Sequence, residues 1–143
     1  MFRQLTDSIL ASPQISVADL AEAKAMGVGL VINNRPDDES DDQIPGAEIA
    51  AAAQTLGMDY VAIPVTHAGF SGPQVEAMAA ALAKSDGKVL AYCRSGTRST
   101  LLWALAQAST GADLDAVTAQ AAAAGYDVSP VRPLMDMLKA RSG

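Results

Sequence analysis

Three runs constrain this chain most: "VGLVIN" (28–33), "MDYVAIPV" (58–65) and "KVLAYC" (88–93). Each is a short and nearly unbroken series of apolar and β-favouring residues, the mark of a strand covered on both faces. Alanine-rich helical segments separate them: "GAEIAAAAQTLG" (46–57) and "PQVEAMAAALAKS" (73–85). An earlier helix is expected over "SVADLAEAKAMG" (16–27), with Ser16 as N-cap, Asp19 in its first turn and Gly27 as its stop. "SILAS" (8–12) reads as a first short strand, and Ser71 and Pro73 suit the start of the helix that follows them. Beyond residue 98, "STLLWALAQAST" (99–110), "ADLDAVTAQAAAAG" (112–125) and "PVRPLMDMLKARSG" (130–143) supply three more helices, with Gly111 and Gly125 between them. Strands alternating with helices predict an α/β fold of three layers, a mostly parallel central sheet with helices on both faces. No repeat or linker divides it, so residues 1–143 are read as one domain.

Composition narrows the function. Sixteen acids against ten bases give a formal net charge of −6, which argues against nucleic acid or an anionic membrane as partner. One cysteine allows no internal disulfide, and one cysteine with one histidine supplies too few soft ligands for zinc. No metal or other cofactor is expected, and a reducing, cytoplasmic setting is. "MFRQLTDSIL" lacks the apolar centre of a signal peptide, and no apolar run approaches the ~20 residues of a membrane span.

In parallel sheets of this kind, ligands bind beyond the carboxyl ends of the strands. Three loops should meet there: Asn34–Asp38, Thr66–Ser71 and Cys93–Arg98. The last carries the chemistry. In "YCRSGTRS" the lone cysteine ends a strand and a helix follows within a few residues. A loop that short must wrap, turning its backbone N–H groups toward a common centre. The helix N-terminus adds positive potential, and Gly96 permits backbone geometry that other residues resist. Arg98 can reach over the cradle with a fork matched to oxyanions. Ser99 or Thr97 can bond the sulfur. Such surroundings favour a thiolate, which makes Cys93 the candidate nucleophile. Arg94, Ser95, Gly96, Thr97 and Ser99 are candidate anion-binding residues, with Arg94 free to point outward. Asn34 and Arg35 either add to the cup or, for Arg35, pair with Asp37, Asp38 or Glu39. The loop 34–45 holds five of the sixteen acids and reads either as a solvated surface or as part of the site.

"YCRSGTRS" resembles the active-site loop of rhodanese-type sulfurtransferases, which have Cys, four residues, Arg. It also resembles the phosphate loop of cysteine-dependent phosphatases, which have Cys, five residues, Arg, usually with His before the Cys. Here Tyr92 stands in that place and the loop is one residue shorter. "LVINNRPDDE", "EIAAAAQTLGMDYVAIPV" and "VLAYCRSGTRS" together resemble the phosphatase-like domain of the beta-lactamase hydrolase-like proteins, members of which are also labelled sulfur transferases. The resemblance spans about residues 3 to 125. It implies the fold of dual-specificity phosphatases carrying a loop of rhodanese length.

Two departures favour sulfur transfer as the first expectation. A shorter loop makes a tighter cup, suited to one sulfur atom. Phosphatases of this fold also carry an Asp after the "IPV"-like strand to protonate the leaving oxygen. This chain has Thr66 and His67 there and no acid between Asp59 and Glu76, so His67 is the candidate acid. Sulfite leaving from thiosulfate needs none. The expected reaction passes sulfur through a Cys93 persulfide to a thiol acceptor. The alternatives are phosphate hydrolysis through a cysteinyl phosphate, on a small or a protein substrate, and a non-catalytic oxyanion- or partner-binding module.

Overall fold

The computed structural model describes residues 1–142. Five strands form one sheet: β1 (Arg3–Thr6), β2 (Ile9–Ser12), β3 (Val28–Asn33), β4 (Asp59–Ala62) and β5 (Lys88–Tyr92), in the order β1-β2-β5-β3-β4. The pairs β2·β5, β5·β3 and β3·β4 are parallel, and β1·β2 is antiparallel. The six helices are α1 (Val17–Ala25), α2 (Gly46–Thr55), α3 (Gly72–Lys84), α4 (Thr97–Ser109), α5 (Leu114–Ala123) and α6 (Arg132–Ser142). The expected three-layer α/β architecture is the observed one.

Two cores lie against the two sheet faces. Leu20 and Ala23 of α1 and Ile49 and Ala53 of α2 pack on Leu10, Val31, Leu90 and Tyr92. The opposite faces of the same strands, with Ile9, Ile32, Val89 and Ala91, pack on α3 to α6. The double coverage explains why "VGLVIN" and "KVLAY" read as continuous apolar runs. Helix α4 is buried almost all round, with Leu102, Trp103, Ala104, Leu105 and Ala106 at 1% exposure or less. It packs between α3, α5 and α6. Truncating a side chain such as Trp103 there would cost about 3–5 kcal/mol. The N-terminus of α4, where the Cys93 loop ends, is therefore rigidly seated.

Ser16 caps α1 as expected, with Asp19 Oδ2 accepting from the Ser16 N–H at 2.8 Å. Three expectations need correction. The run 58–65 is not a strand buried on both faces: β4 is short, lies at the sheet edge and is half-exposed. Its apolar character comes from Met58, Ile63 and Val65, which are buried just outside the strand. The hairpin strand β1 was not expected, because it buries a single apolar side chain, Leu5. The last helix begins at Arg132, after a 3-10 turn over Ser129–Val131, and Gly143 lies outside the described residues. Among the described residues, no helix is long and apolar enough to cross a membrane.

Candidate active site

Strands β5 and β3 deliver Cys93 and Asn34 side by side, the Asn34 N–H donating to the Tyr92 carbonyl at 2.8 Å. The Cys93 side chain is fully buried, but its surroundings are polar. The Gly96 N–H donates to Sγ at 3.0 Å. Gly96 sits at φ 92° and ψ −12°, in the left-handed region, and caps α4. That conformation turns the chain from loop to helix within three residues of the sulfur. The Gly96 carbonyl then accepts from the Thr100 N–H at 3.0 Å and its hydroxyl at 2.9 Å, opening the helix.

Arg98, in the first turn of α4, points into the site. Its Nη1 donates to the Val65 carbonyl at 2.7 Å and to Glu39 Oε2 at 2.6 Å, and Nη2 donates to Glu39 Oε1 at 2.8 Å. The carboxylate thus grips the terminal edge of the guanidinium. The guanidinium also hydrogen-bonds the Cys93 side chain, which sets Arg98 beside the sulfur. Pairing with Glu39 is the main cause that pushes the Arg98 guanidinium above its ordinary value. Partial burial opposes it, and the neighbouring Cys93 side chain adds to it.

Arg35 backs up the same carboxylate. It is buried, with Nε on Glu39 Oε1 at 3.0 Å, Nη1 on Gln14 Oε1 at 3.0 Å and Nη2 on Ser40 Oγ at 3.1 Å. The Arg98 hydrogen bonds first, then those of Arg35, pull the Glu39 carboxyl down from 4.5 to about 2, against the opposing effect of desolvation. Arg35 is therefore neither a free charge in the cup nor a surface residue. It pairs with Glu39, one of the three acids expected for it, and does so in the interior.

Asn34 and Ser99, both buried, bind each other: Ser99 Oγ donates to Asn34 Oδ1 at 2.8 Å, and Asn34 Nδ2 donates to the Ile63 carbonyl at 2.9 Å. This triangle joins the ends of β3, β4 and the Cys93 loop. The expectation that Ser99 or Thr97 bonds the sulfur is corrected: Ser99 is directed to Asn34, and the exposed Thr97 Oγ1 pairs with Ser95 Oγ at 3.0 Å. Arg94 is exposed and points outward, as the wrapped loop requires. His67 is exposed on the loop after Val65, and its side chain has no hydrogen bond among the described residues. Two hollows of about 420 and 340 Å³ both border Ser85 and Gly87, at the far edge of the sheet from Cys93.

Sequence reasoning missed Glu39, Gln14 and Tyr126 as parts of the site. The Arg35–Glu39 spacing was a usable signal for Glu39. Gln14 and Tyr126 left none, because both arrive from distant segments. Tyr92, standing where phosphatases usually have His, is buried, and its hydroxyl has no hydrogen-bond partner among the described residues. Burial, then the neighbouring Tyr60, push its ionisation far above the ordinary phenol value.

The match to known families decides the lineage. Residues 1–112 match the family described as beta-lactamase hydrolase-like protein, phosphatase-like domain. The chain belongs to this family. A beta-lactamase hydrolase-like protein of Agrobacterium fabrum is 32% identical over 108 residues, covering 76% of this chain and 25% of that protein. The chain spans 25 to 29% of the length of the curated relatives it matches. A candidate phosphatase of Neisseria meningitidis superposes with a TM-score of 0.82 at 31% identity, covering 95% of this chain and 96% of the other. PTPMT1, at 11% identity and a TM-score of 0.75, covers 99% of this chain and 98% of its own. That likeness shows the fold, a cysteine-phosphatase fold, and nothing finer.

Proposed function

We propose that this domain is a cysteine-dependent phosphatase. The observation that carries the reading is the Cys93–Arg98 loop, with a backbone N–H on the sulfur and a guanidinium fixed beside it. The family description and the Neisseria relative favour phosphate hydrolysis over the sulfur transfer that loop length suggests. In this reaction the Cys93 thiolate attacks phosphorus, the S–P bond forms, and the ester P–O bond breaks. The leaving oxygen takes a proton from water or from His67. Water then attacks the cysteinyl phosphate, the S–P bond breaks, and inorganic phosphate leaves with the thiolate restored. Arg98 and the loop amides hold the equatorial oxygens where charge develops.

No carboxylate follows β4 before Glu76, so the best substrates are phosphoesters whose leaving oxygen needs little protonation, such as aryl esters. The same observation, with the six-residue loop, supports sulfur transfer as a second reading. There the thiolate attacks the outer sulfur of thiosulfate, an S–S bond forms as another breaks, and sulfite leaves with the electron pair. A thiol acceptor then takes the sulfur from the Cys93 persulfide.

One experiment separates the two. The intact protein is weighed after thiosulfate treatment, and phosphate release from p-nitrophenyl phosphate is followed with and without vanadate, in wild type and Cys93→Ser. Vanadate-sensitive release that Cys93→Ser abolishes, with no mass gain, supports the phosphatase. A gain of about one sulfur atom without phosphate release would replace it by sulfur transfer.

A further inference from the structure

The Ser95 carbonyl and the Gly96 N–H belong to one peptide unit, and in a trans peptide they point to opposite sides. Here the N–H faces inward, to Cys93 Sγ at 3.0 Å. The carbonyl faces outward and accepts from the Tyr126 hydroxyl at 3.2 Å. A glycine in the left-handed region leaves this peptide plane easy to rotate. Rotation would exchange an N–H for a carbonyl oxygen at the sulfur and reverse the sign of the local field. Tyr126 is itself anchored. It follows Gly125 at the end of α5, and its N–H donates to the Ala121 carbonyl at 2.9 Å. The Arg3 guanidinium lies 5.6 Å from its ring centroid, with Nη1 on the Ala124 carbonyl at 2.9 Å. The hydroxyl lies so close to the loop that a Cβ at Gly96 would come within 2.1 Å of it.

We propose that Tyr126 is a positioning residue for the reacting sulfur: by holding the Ser95 carbonyl outward, it keeps the Gly96 N–H aimed at Cys93. The role rests on the reading that Cys93 works as a thiolate. The titratable groups that interact with the sulfur are Arg98 on α4, with Glu39 and Arg35 behind it, and Tyr126, with Arg3 behind it. His67 stands outside this set, on the exposed loop after Val65.

The test compares wild type with Tyr126→Phe, which removes one oxygen and keeps the ring. The rate of alkylation by iodoacetamide is followed against pH, and the Gly96 amide proton resonance is followed over the same range. Thermal melting checks that the variant is folded. Without the Tyr126 hydroxyl the Ser95–Gly96 peptide is free to rotate, and the sulfur loses the Gly96 N–H for part of the time. Alkylation at pH 7 falls several-fold, and the Gly96 amide stops reporting the ionisation of the sulfur. A folded variant with an unchanged profile and an unchanged Gly96 response overturns the role of Tyr126 alone. A wild type no faster than an unstructured thiol peptide overturns the thiolate reading and the role together.

Discussion

Two loops leave neighbouring strands at the same edge of the sheet, and they are built in opposite ways. The loop after β3 is dense with charge and tightly held. Arg35 binds Asn33, Glu39, Gln14 and Ser40. The Glu39 N–H donates to Gln43, Gln43 reaches the Pro36 carbonyl, and Asp37 accepts from the Gly46 N–H. The segment after β4 starts out fastened, with Ile63 and Val65 on Asn33, Asn34 and Arg98, but its tip from Thr66 to Gly69 bonds only to itself, through Gly69 to Thr66 and Ala68 to Thr66, before Ser71 closes on Gln74 of α3. Its residues Thr66 to Gly69 are all exposed. The difference teaches that charge density alone does not make a loop solvated. Acids that face guanidinium groups and backbone N–H donors order a segment, whereas a stretch with few polar side chains has little to fasten it. The first loop acts as scaffold for Arg98. The second leaves its tip exposed, with no bond from Thr66 to Gly69 to the rest of the site.

Substituting Glu39 strains that contrast most. Glu39→Gln leaves two guanidinium groups facing each other in a partly buried place. A destabilisation of about 2 kcal/mol is expected, below that of a fully buried pair, with a fall of several degrees in Tm. Turnover of p-nitrophenyl phosphate should drop about 100-fold as Arg98 loses its placement. Thermal melts and steady-state rates measure both. Lost activity with an unchanged Tm would show that the loop is not scaffold. Arg35→Lys should cost less, about 1 kcal/mol, because an ammonium cannot reach Glu39, Gln14 and Ser40 at once.

Acid should act on the first loop and spare the second. The Glu39 carboxyl is pulled down to about 2 by Arg98 and Arg35. A depressed carboxylate contributes stability that is fully present above its unfolded value, near 4.5, and is lost as pH falls toward about 2. The Tm difference between wild type and Glu39→Gln should therefore be widest above about pH 5 and shrink steadily below it. A constant difference from pH 7 to pH 2 would contradict the pairing.

Much of this was legible in the residues. Cys93, Gly96 and Arg98 could be placed because strand end, glycine and arginine fall within six positions of one another. The two-faced sheet followed from unbroken apolar runs. Glu39 was only half legible: it was one of three acids that Arg35 could pair with, but its contact with Arg98, fifty-nine positions away, depends on how β3 and β5 lie side by side. Ser99 was assigned to the sulfur because it is near in sequence, whereas the turn of α4 carries it to Asn34. Tyr126 gave no local sign at all, since its use arises from packing α5 against the loop.

The smallest effect is expected at His67. Its exposure and its lack of a hydrogen bond leave nothing to hold the imidazole over the sulfur before a substrate arrives. p-Nitrophenolate departs as a stable anion, so a missing proton donor should hardly slow it. His67→Ala should keep that rate within about twofold, where a working acid on a demanding substrate contributes about 100-fold or more. An alkyl phosphate, whose leaving oxygen must be protonated, provides the sharper measurement. A selective loss on the alkyl ester would show that the loop after β4 closes during turnover and brings the histidine in. Equal and small losses on both esters would leave water as the donor and the loop as a passive rim.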